Sequence, residues 1–171
     1  MKFSGRNLKR RLYGFTTLPG RVARVRYFRG HGVHSPFVYA IVRQVFMKRT
    51  LRDGDHGLYD RLLALGLPAR RAVQLQNLCL HCGYVTWAVD TFPEECDCCL
   101  LTPQVGARQT LEWVALAHRR GTTLVLLNPY ERQERAALCR RIVEEHTCTT
   151  VDNRGYLLVF NNHLPKQHFR L

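Results

Sequence analysis

The sequence predicts one α/β domain with a doubly wound sheet of about five strands, preceded by a basic helical N-terminal extension. Two patterns favour this fold. From residue 72 onward, short apolar runs alternate with longer helix-like stretches, as in a sheet whose strands are connected by helices. Near the end of the chain, two apolar runs flank residues 152–155, whose Asp-Asn-Arg-Gly sequence favours a tight turn. The sheet is therefore expected to end in an antiparallel hairpin.

Helices are predicted before the sheet begins. Residues 6–13 and 21–28 are basic and weakly amphipathic, and glycine and proline separate them. Ser35 followed by Pro36 is typical of a helix N-cap and first turn. A further helix is expected to end at Gly66. The helices predicted in this part are residues 6–13, 21–28, 36–46 and 58–65, with a loop at 53–57.

The strands of the sheet are expected at short apolar runs, of which residues 122–127, Thr-Thr-Leu-Val-Leu-Leu, are the clearest. After this run, Asn128, Pro129 and Glu131 have the residue types of an N-cap, a first helical position and a third helical position. A helix is therefore expected to begin there. The predicted strands are 72–79, 98–102, 122–127, 148–152 and 155–160. The predicted helices between them are 84–90, 103–120 and 129–146.

The charge of the chain is concentrated in its N-terminal third. Residues 1–52 hold 13 of the 26 Lys and Arg residues and no Asp or Glu, whereas residues 53–171 hold 13 basic and 13 acidic residues. We therefore divide the chain into a basic extension, residues 1–52, and an electroneutral domain, residues 53–171. Such an extension attracts polyanions, so the expected partner is nucleic acid or an anionic lipid headgroup. A solubilising basic face and a protein partner are the alternatives.

The sequence also indicates a compartment. No apolar run is long enough for a transmembrane helix, and the N-terminus lacks the apolar core of a secretory signal. An odd number of cysteines, 7, favours thiols in a reducing environment over a disulfide framework. We expect a cytoplasmic protein, although an Arg-rich leader without acidic residues is also compatible with a mitochondrial transit peptide.

Two segments resemble a known family. Residues 29–39 have the sequence Arg-Gly-His-Gly-Val-His-Ser-Pro-Phe-Val-Tyr, and the chain closes with Arg-Gly-Tyr-Leu-Leu-Val-Phe at 154–160 and Gln-His-Phe at 167–169. Both are similar to segments of a bacterial family of class I S-adenosylmethionine-dependent methyltransferases. This resemblance implies a Rossmann-like domain and S-adenosylmethionine as the cofactor.

The resemblance also implies which positions would hold the cofactor. In the family, the first strand ends in an acidic residue and a glycine-rich turn. When the chain is aligned through Gly83, the acidic position falls on Asn77 and the first glycine on Cys79. The acidic residue at the end of the second strand corresponds to Thr102. The cofactor-binding positions implied by the resemblance are therefore Asn77, Cys79, Gly83 and Thr102.

These positions have lost the carboxylates that the family uses. A later Asp-Asp pair of the family also corresponds to Asn128-Pro129, and the spacing from Thr102 to Leu124 leaves room for one helix where the family has a further strand and helix. Each lost charge-assisted hydrogen bond is worth about 1.5 to 3 kcal/mol. The sequence therefore predicts a pseudoenzyme without a cofactor that acts as a binding or scaffold protein. An active methyltransferase with an altered pocket is the alternative.

Cysteine spacing raises a different possibility. Cys79, Cys82, Cys96 and Cys98 have the number of thiolates that a tetrahedral zinc site needs. A small zinc-binding protein is thus a third alternative. Alternatively, the cysteines serve as small apolar core residues, which suits Cys98, Cys99, Cys139 and Cys148, or Cys79-x-x-Cys82 forms a redox centre.

The start of the helix at Ser35 is a candidate anion site. Helix N-termini attract anions, and Arg26, Arg29, His31 and His34 are close in sequence. The alternative is that His34 and Ser35 only bind the backbone where the helix begins. The sequence assigns no catalytic residue.

Overall fold

The computed structural model describes residues 33–171. The predicted helices at 6–13 and 21–28 lie outside the described residues. The described helices are α1 (Pro36–Ile41), which continues into a π-helical segment (Val42–Phe46), α2 (Gly57–Ala64), α3 (Ala69–Cys82), α4 (Ala107–Arg120) and α5 (Gln133–Glu145). The strands are β1 (Trp87–Val89), β2 (Cys98–Leu101), β3 (Thr123–Leu127), β4 (Thr150–Asp152), β5 (Tyr156–Val159) and β6 (His168–Arg170).

The strands form one mostly parallel sheet in the order β1-β2-β3-β5-β4-β6. Strand β5 is antiparallel to both of its neighbours, β3 and β4, and all other pairs are parallel. The predicted Rossmann-like α/β fold and its antiparallel hairpin are therefore confirmed. The sheet has 6 strands rather than about five, because the polar-apolar-polar triplet of β6 is too short to give a sequence signal.

Two apolar cores lie on opposite faces of the sheet. Side chains alternate along β2, so Cys98 and Leu100 face one core and Cys99 and Leu101 face the other. The first core includes residues of α1, the π-helical segment, α2 and α3, and the second includes residues of α4 and α5. Helices thus cover both faces, as the doubly wound arrangement requires.

The start of α1 is as predicted. The Ser35 hydroxyl accepts a hydrogen bond from the Val38 amide at 3.4 Å, and proline occupies the first turn. The helix joins the first core: the ring of Phe37 packs edge-on against Phe160 at 5.0 Å, and Phe46 packs against Tyr156 at 6.1 Å. Residues 36–46 are therefore packed along strand β5, from its first residue to the residue after its last.

Two predicted elements are wrong. Residues 72–79, predicted as a strand, belong to helix α3, and residues 84–90, predicted as a helix, contain strand β1. All side chains from Ala72 to Cys79 are buried, so α3 has no polar face whose spacing would reveal a helix. Gly83 ends the helix with a φ of 71°. The aromatic and β-branched residues that follow it favour a strand.

The predicted N-cap at Asn128 is also wrong. Helix α5 begins at Gln133 with Arg132 as its N-cap, and Asn128 has a φ of 49°. This left-handed conformation is one that asparagine tolerates better than most residues. The Asn128 amide donates to the Gly155 carbonyl at 2.9 Å, which holds the end of β3 against the hairpin turn. The helix therefore starts after a turn rather than at the strand end.

The connection between β1 and β2 has no helix. Only residues 90–97 join these two parallel strands, whereas most parallel connections need a dozen residues or more. Phe92 in this connection packs against Trp113 of α4 at 5.9 Å, and the Arg120 guanidinium lies over the Phe92 ring at 5.7 Å. The connection is thus fixed onto the second face of the sheet. Within residues 33–171, no helix is long and apolar enough to span a membrane.

Candidate functional site

The carboxyl ends of the parallel strands meet at one edge of the sheet, where open α/β proteins bind their ligands. Asp90 follows β1, Thr102 follows β2, Asn128 follows β3 and Asp152 ends β4. Of the four predicted cofactor positions, only Thr102 lies at this edge.

Asp90 and Thr102 bind each other. One carboxylate oxygen of Asp90 accepts the Thr102 amide at 2.7 Å, and the other accepts the Thr102 hydroxyl at 2.7 Å. Asp90 has a φ of 54°, and its own amide donates to the Leu100 carbonyl at 2.9 Å. Both carboxylate oxygens are therefore engaged within the chain, and the acidic group at the end of the first strand is turned toward the second.

Arg135 occupies the neighbouring position between β2 and β3. Its Nη2 donates to the Leu101 carbonyl at 2.8 Å and its Nε to the Leu127 carbonyl at 3.0 Å. The side chain is 7% exposed, and this burial lowers the pKa of the guanidinium. Within residues 33–171 it forms no ion pair. Arg135 therefore joins the ends of two central strands by neutral acceptors alone.

The other predicted cofactor positions are structural. Asn77 is fully buried in α3, where its amide oxygen accepts the Arg52 amide at 2.9 Å and its nitrogen donates to the Thr50 carbonyl at 2.9 Å. Cys79 is buried two residues further along the helix, and Gly83 is its C-cap. The strand predicted at 72–79, on which their placement at a strand end depended, is absent. These residues fasten the 50–52 segment and end a helix.

The cysteines do not form a metal site in the described part of the chain. No group of three or more His, Cys, Asp or Glu side chains in residues 33–171 is arranged to hold a metal ion. A side-chain hydrogen bond with Cys79, followed by burial, raises the pKa of Cys98 well above its ordinary value. Burial also raises the pKa of Cys82 to about 11. Neutral buried thiols fit the core role better than the zinc or redox alternatives.

The predicted anion site is only partly described. Ser35 is buried and caps α1, while His34 is exposed. Arg26, Arg29 and His31 lie outside the described residues. The described geometry thus shows the capping role of Ser35.

Helices α4 and α5 bring two histidines together. The rings of His118 and His146 lie 5.7 Å apart, and His146 Nε2 is 2.8 Å from the Phe160 carbonyl, which can only accept. Burial, followed by the charges of His118 and Lys166, lowers the pKa of His146, although the Phe160 hydrogen bond opposes the shift. The folded protein therefore favours a neutral His146.

The lowered pKa of His146 predicts that the folded protein becomes less stable in acid. Because the folded-state pKa of His146 lies below its unfolded value of about 6.5, the unfolded state binds the proton more readily. The contribution of neutral His146 to the free energy of unfolding is fully present above pH 6.5 or so and is lost as the pH falls toward the folded-state pKa. Urea unfolding at pH 7.5 and 5.5 measures the change, and His146→Gln should reduce it. The exposed His163→Gln is the control, and an unchanged pH dependence in His146→Gln would contradict the assignment.

Comparisons of the chain with models of protein families, with curated proteins and with solved structures found no match.

Proposed function

We propose that the chain is a cytoplasmic, methyltransferase-like protein that has lost S-adenosylmethionine binding and acts as a non-catalytic binding or scaffold protein. The observation that supports this most directly is the pairing of Asp90 with Thr102, in which both carboxylate oxygens are already engaged. In the family that the sequence resembles, the acidic residue at this strand end faces the cofactor.

The residues that follow Asp90 fit the cofactor equally poorly. A glycine-rich turn lets the backbone approach a ligand closely. Here the turn is Thr91-Phe92-Pro93, and Phe92 is packed between Trp113 and Arg120. A cofactor at this edge would have to displace two hydrogen bonds to a carboxylate, each worth about 1.5 to 3 kcal/mol. These residues do not fit S-adenosylmethionine.

The proposed binding surface is the basic segment 1–52, whose partner would be a polyanion, either nucleic acid or anionic lipid. The described end of this segment has exposed cations at Arg43, Lys48 and Arg49. Within residues 33–171, none of the three forms an ion pair with a carboxylate. Cations without carboxylate partners are available to phosphates, which supports this assignment.

Titration of the full chain with S-adenosylmethionine tests the loss of cofactor binding. Isothermal calorimetry is expected to give no binding heat at micromolar concentrations, because the carboxylate at the first strand end is engaged by Thr102. A dissociation constant below about 50 μM would overturn the proposal and favour the active methyltransferase. Thr102→Val, which removes the hydroxyl donor and keeps the shape, provides a second test. If Asp90 were still a cofactor ligand, this variant would bind S-adenosylmethionine more tightly.

A further inference from the structure

A half-enclosed cavity of about 130 Å³ lies between α5 and the sheet. Residues at the carboxyl ends of three parallel strands line the cavity. Pro129 and Tyr130 follow β3, Asp152 ends β4 and Arg170 ends β6. This is the edge of the sheet at which α/β proteins bind ligands, but on strands other than those of Asp90 and Thr102. The cavity is therefore a separate candidate site.

The lining divides into an apolar and a cationic part. Pro129, Val143 and Leu157 are among its apolar residues, while Arg140 approaches from α5 and Arg170 from β6. Both arginines are exposed, and neither forms an ion pair within residues 33–171. The guanidinium fork matches the geometry of a carboxylate or a phosphate, and the apolar part of the lining favours a carboxylate that carries an apolar body.

The arginine on β6 is held in place by its neighbour. Arg170 Nε lies 3.4 Å from His168 Nε2, and since an arginine nitrogen can only donate, His168 Nε2 must be the acceptor. The histidine proton is then on Nδ1, which lies 2.8 Å from the Thr150 hydroxyl. This chain of hydrogen bonds orients Arg170 through Nε and leaves the Nη groups for a ligand.

Two acidic residues and a cysteine also line the cavity. Asp152 is 2% exposed, and its carboxylate accepts the Tyr130 hydroxyl and, at 2.9 Å, the Arg154 amide. Glu144 is exposed to solvent, which screens its charge. The Cys139 thiol is neutral, because burial raises its pKa to about 11. The two arginines and the two carboxylates cancel in formal charge, so an anion would be held by the guanidinium donors and not by a net positive charge of the cavity.

We propose that this cavity binds a small monocarboxylate with a compact apolar body. The carboxylate would lie between Arg140 and Arg170, and the body against Pro129, Val143 and Leu157. Its size follows from the volume, since an apolar protein cavity of about 150 Å³ admits benzene.

Benzoate is the probe, and benzamide, which has the same shape without the charge, is its control. Titration of the full chain, followed by the backbone amide resonances of Tyr130 and Leu157, is expected to give a millimolar dissociation constant for benzoate. Binding of benzamide should be at least ~10-fold weaker, because the charge-assisted hydrogen bonds are lost. Arg140→Gln and Arg170→Gln are each expected to weaken benzoate binding about 10-fold.

Arg141→Gln is the matched control. Arg141 is the residue after Arg140 in α5, it does not line the cavity, and it pairs with Glu145 at 2.7 Å. The affinity of the Arg141→Gln variant for benzoate should remain within about two-fold of that of the unsubstituted protein. Equal binding of benzamide and benzoate, an equal loss in Arg141→Gln, or no binding at ~10 mM would each overturn the proposal. Tighter binding of inorganic phosphate would overturn the assignment of an apolar carboxylate.

Discussion

Arg135→Met is expected to lower the free energy of unfolding by about 2 kcal/mol. The substitution removes the donors that satisfy the Leu101 and Leu127 carbonyls, and each unsatisfied buried carbonyl costs about 1 to 3 kcal/mol. Removal of a buried charge offsets part of this loss, because the guanidinium no longer has to be desolvated. The two strand-end acceptors are expected to dominate, since methionine keeps most of the volume of the side chain.

The midpoint of urea unfolding, at an unchanged m value, measures this effect. Arg141→Met is the matched control, because it removes an exposed ion pair of the same helix and should cost less than about 0.5 kcal/mol. Arg135→Lys should fall between the original and Arg135→Met, since lysine keeps the charge but not the fork that reaches two strands. A methionine variant as stable as the original would show that desolvation offsets both hydrogen bonds.

The fold was predictable where the hydrophobic pattern was unambiguous. The run at 122–127 contains strand β3 in the centre of the sheet, and the helix predicted at 103–120 ends at Arg120 as predicted but begins only at Ala107. Ser35 and the hairpin turn gave local signals of the same quality. These elements are defined by their own residues.

Helix α3 was missed because burial on all sides removes the amphipathic pattern by which a helix is recognised in a sequence. Helix α3 is surrounded along residues 72–79, including the polar Gln74, whose amide donates to the Phe46 carbonyl at 3.0 Å and accepts the Tyr156 hydroxyl at 3.2 Å. A helix buried on every side resembles a buried strand in sequence. This error placed the first strand too early along the chain, and the positions inferred for a cofactor moved with it.

The candidate site was found only in part for the same reason. Thr102 was identified because β2 was placed correctly, whereas Asp90 was assigned to a helix and therefore overlooked as a strand-end carboxylate. The strand-favouring residues directly before Asp90 were the signal that could have found it. No sequence pattern identifies Arg135 as a buried residue. It lies among exposed charged residues of α5, and its burial depends on the sheet whose strand ends it joins.

Deletion of residues 1–28 is expected to abolish binding to polyanions while the rest of the chain stays folded. The deletion removes 8 of the 26 Lys and Arg residues and no acidic residue. It leaves α1 and the π-helical segment, whose contacts with Phe160 and Tyr156 complete the first core. Circular dichroism and the urea midpoint should therefore change little, whereas affinity for duplex DNA or anionic vesicles should fall at least ~100-fold.

The salt dependence of the full chain shows whether phosphates are the ligands. If about six cations contact DNA phosphates, the logarithm of the affinity should fall with the logarithm of the salt concentration at a slope near −5, since each neutralised phosphate contributes about 0.9. On vesicles, binding should follow the fraction of anionic lipid, and the same salt series on both surfaces identifies the preferred one. Salt-insensitive binding would point instead to apolar contacts from Leu8, Leu12, Tyr13 and Phe15. A complete lack of binding to both surfaces would leave the basic segment as a solubilising face or as the contact for an acidic protein.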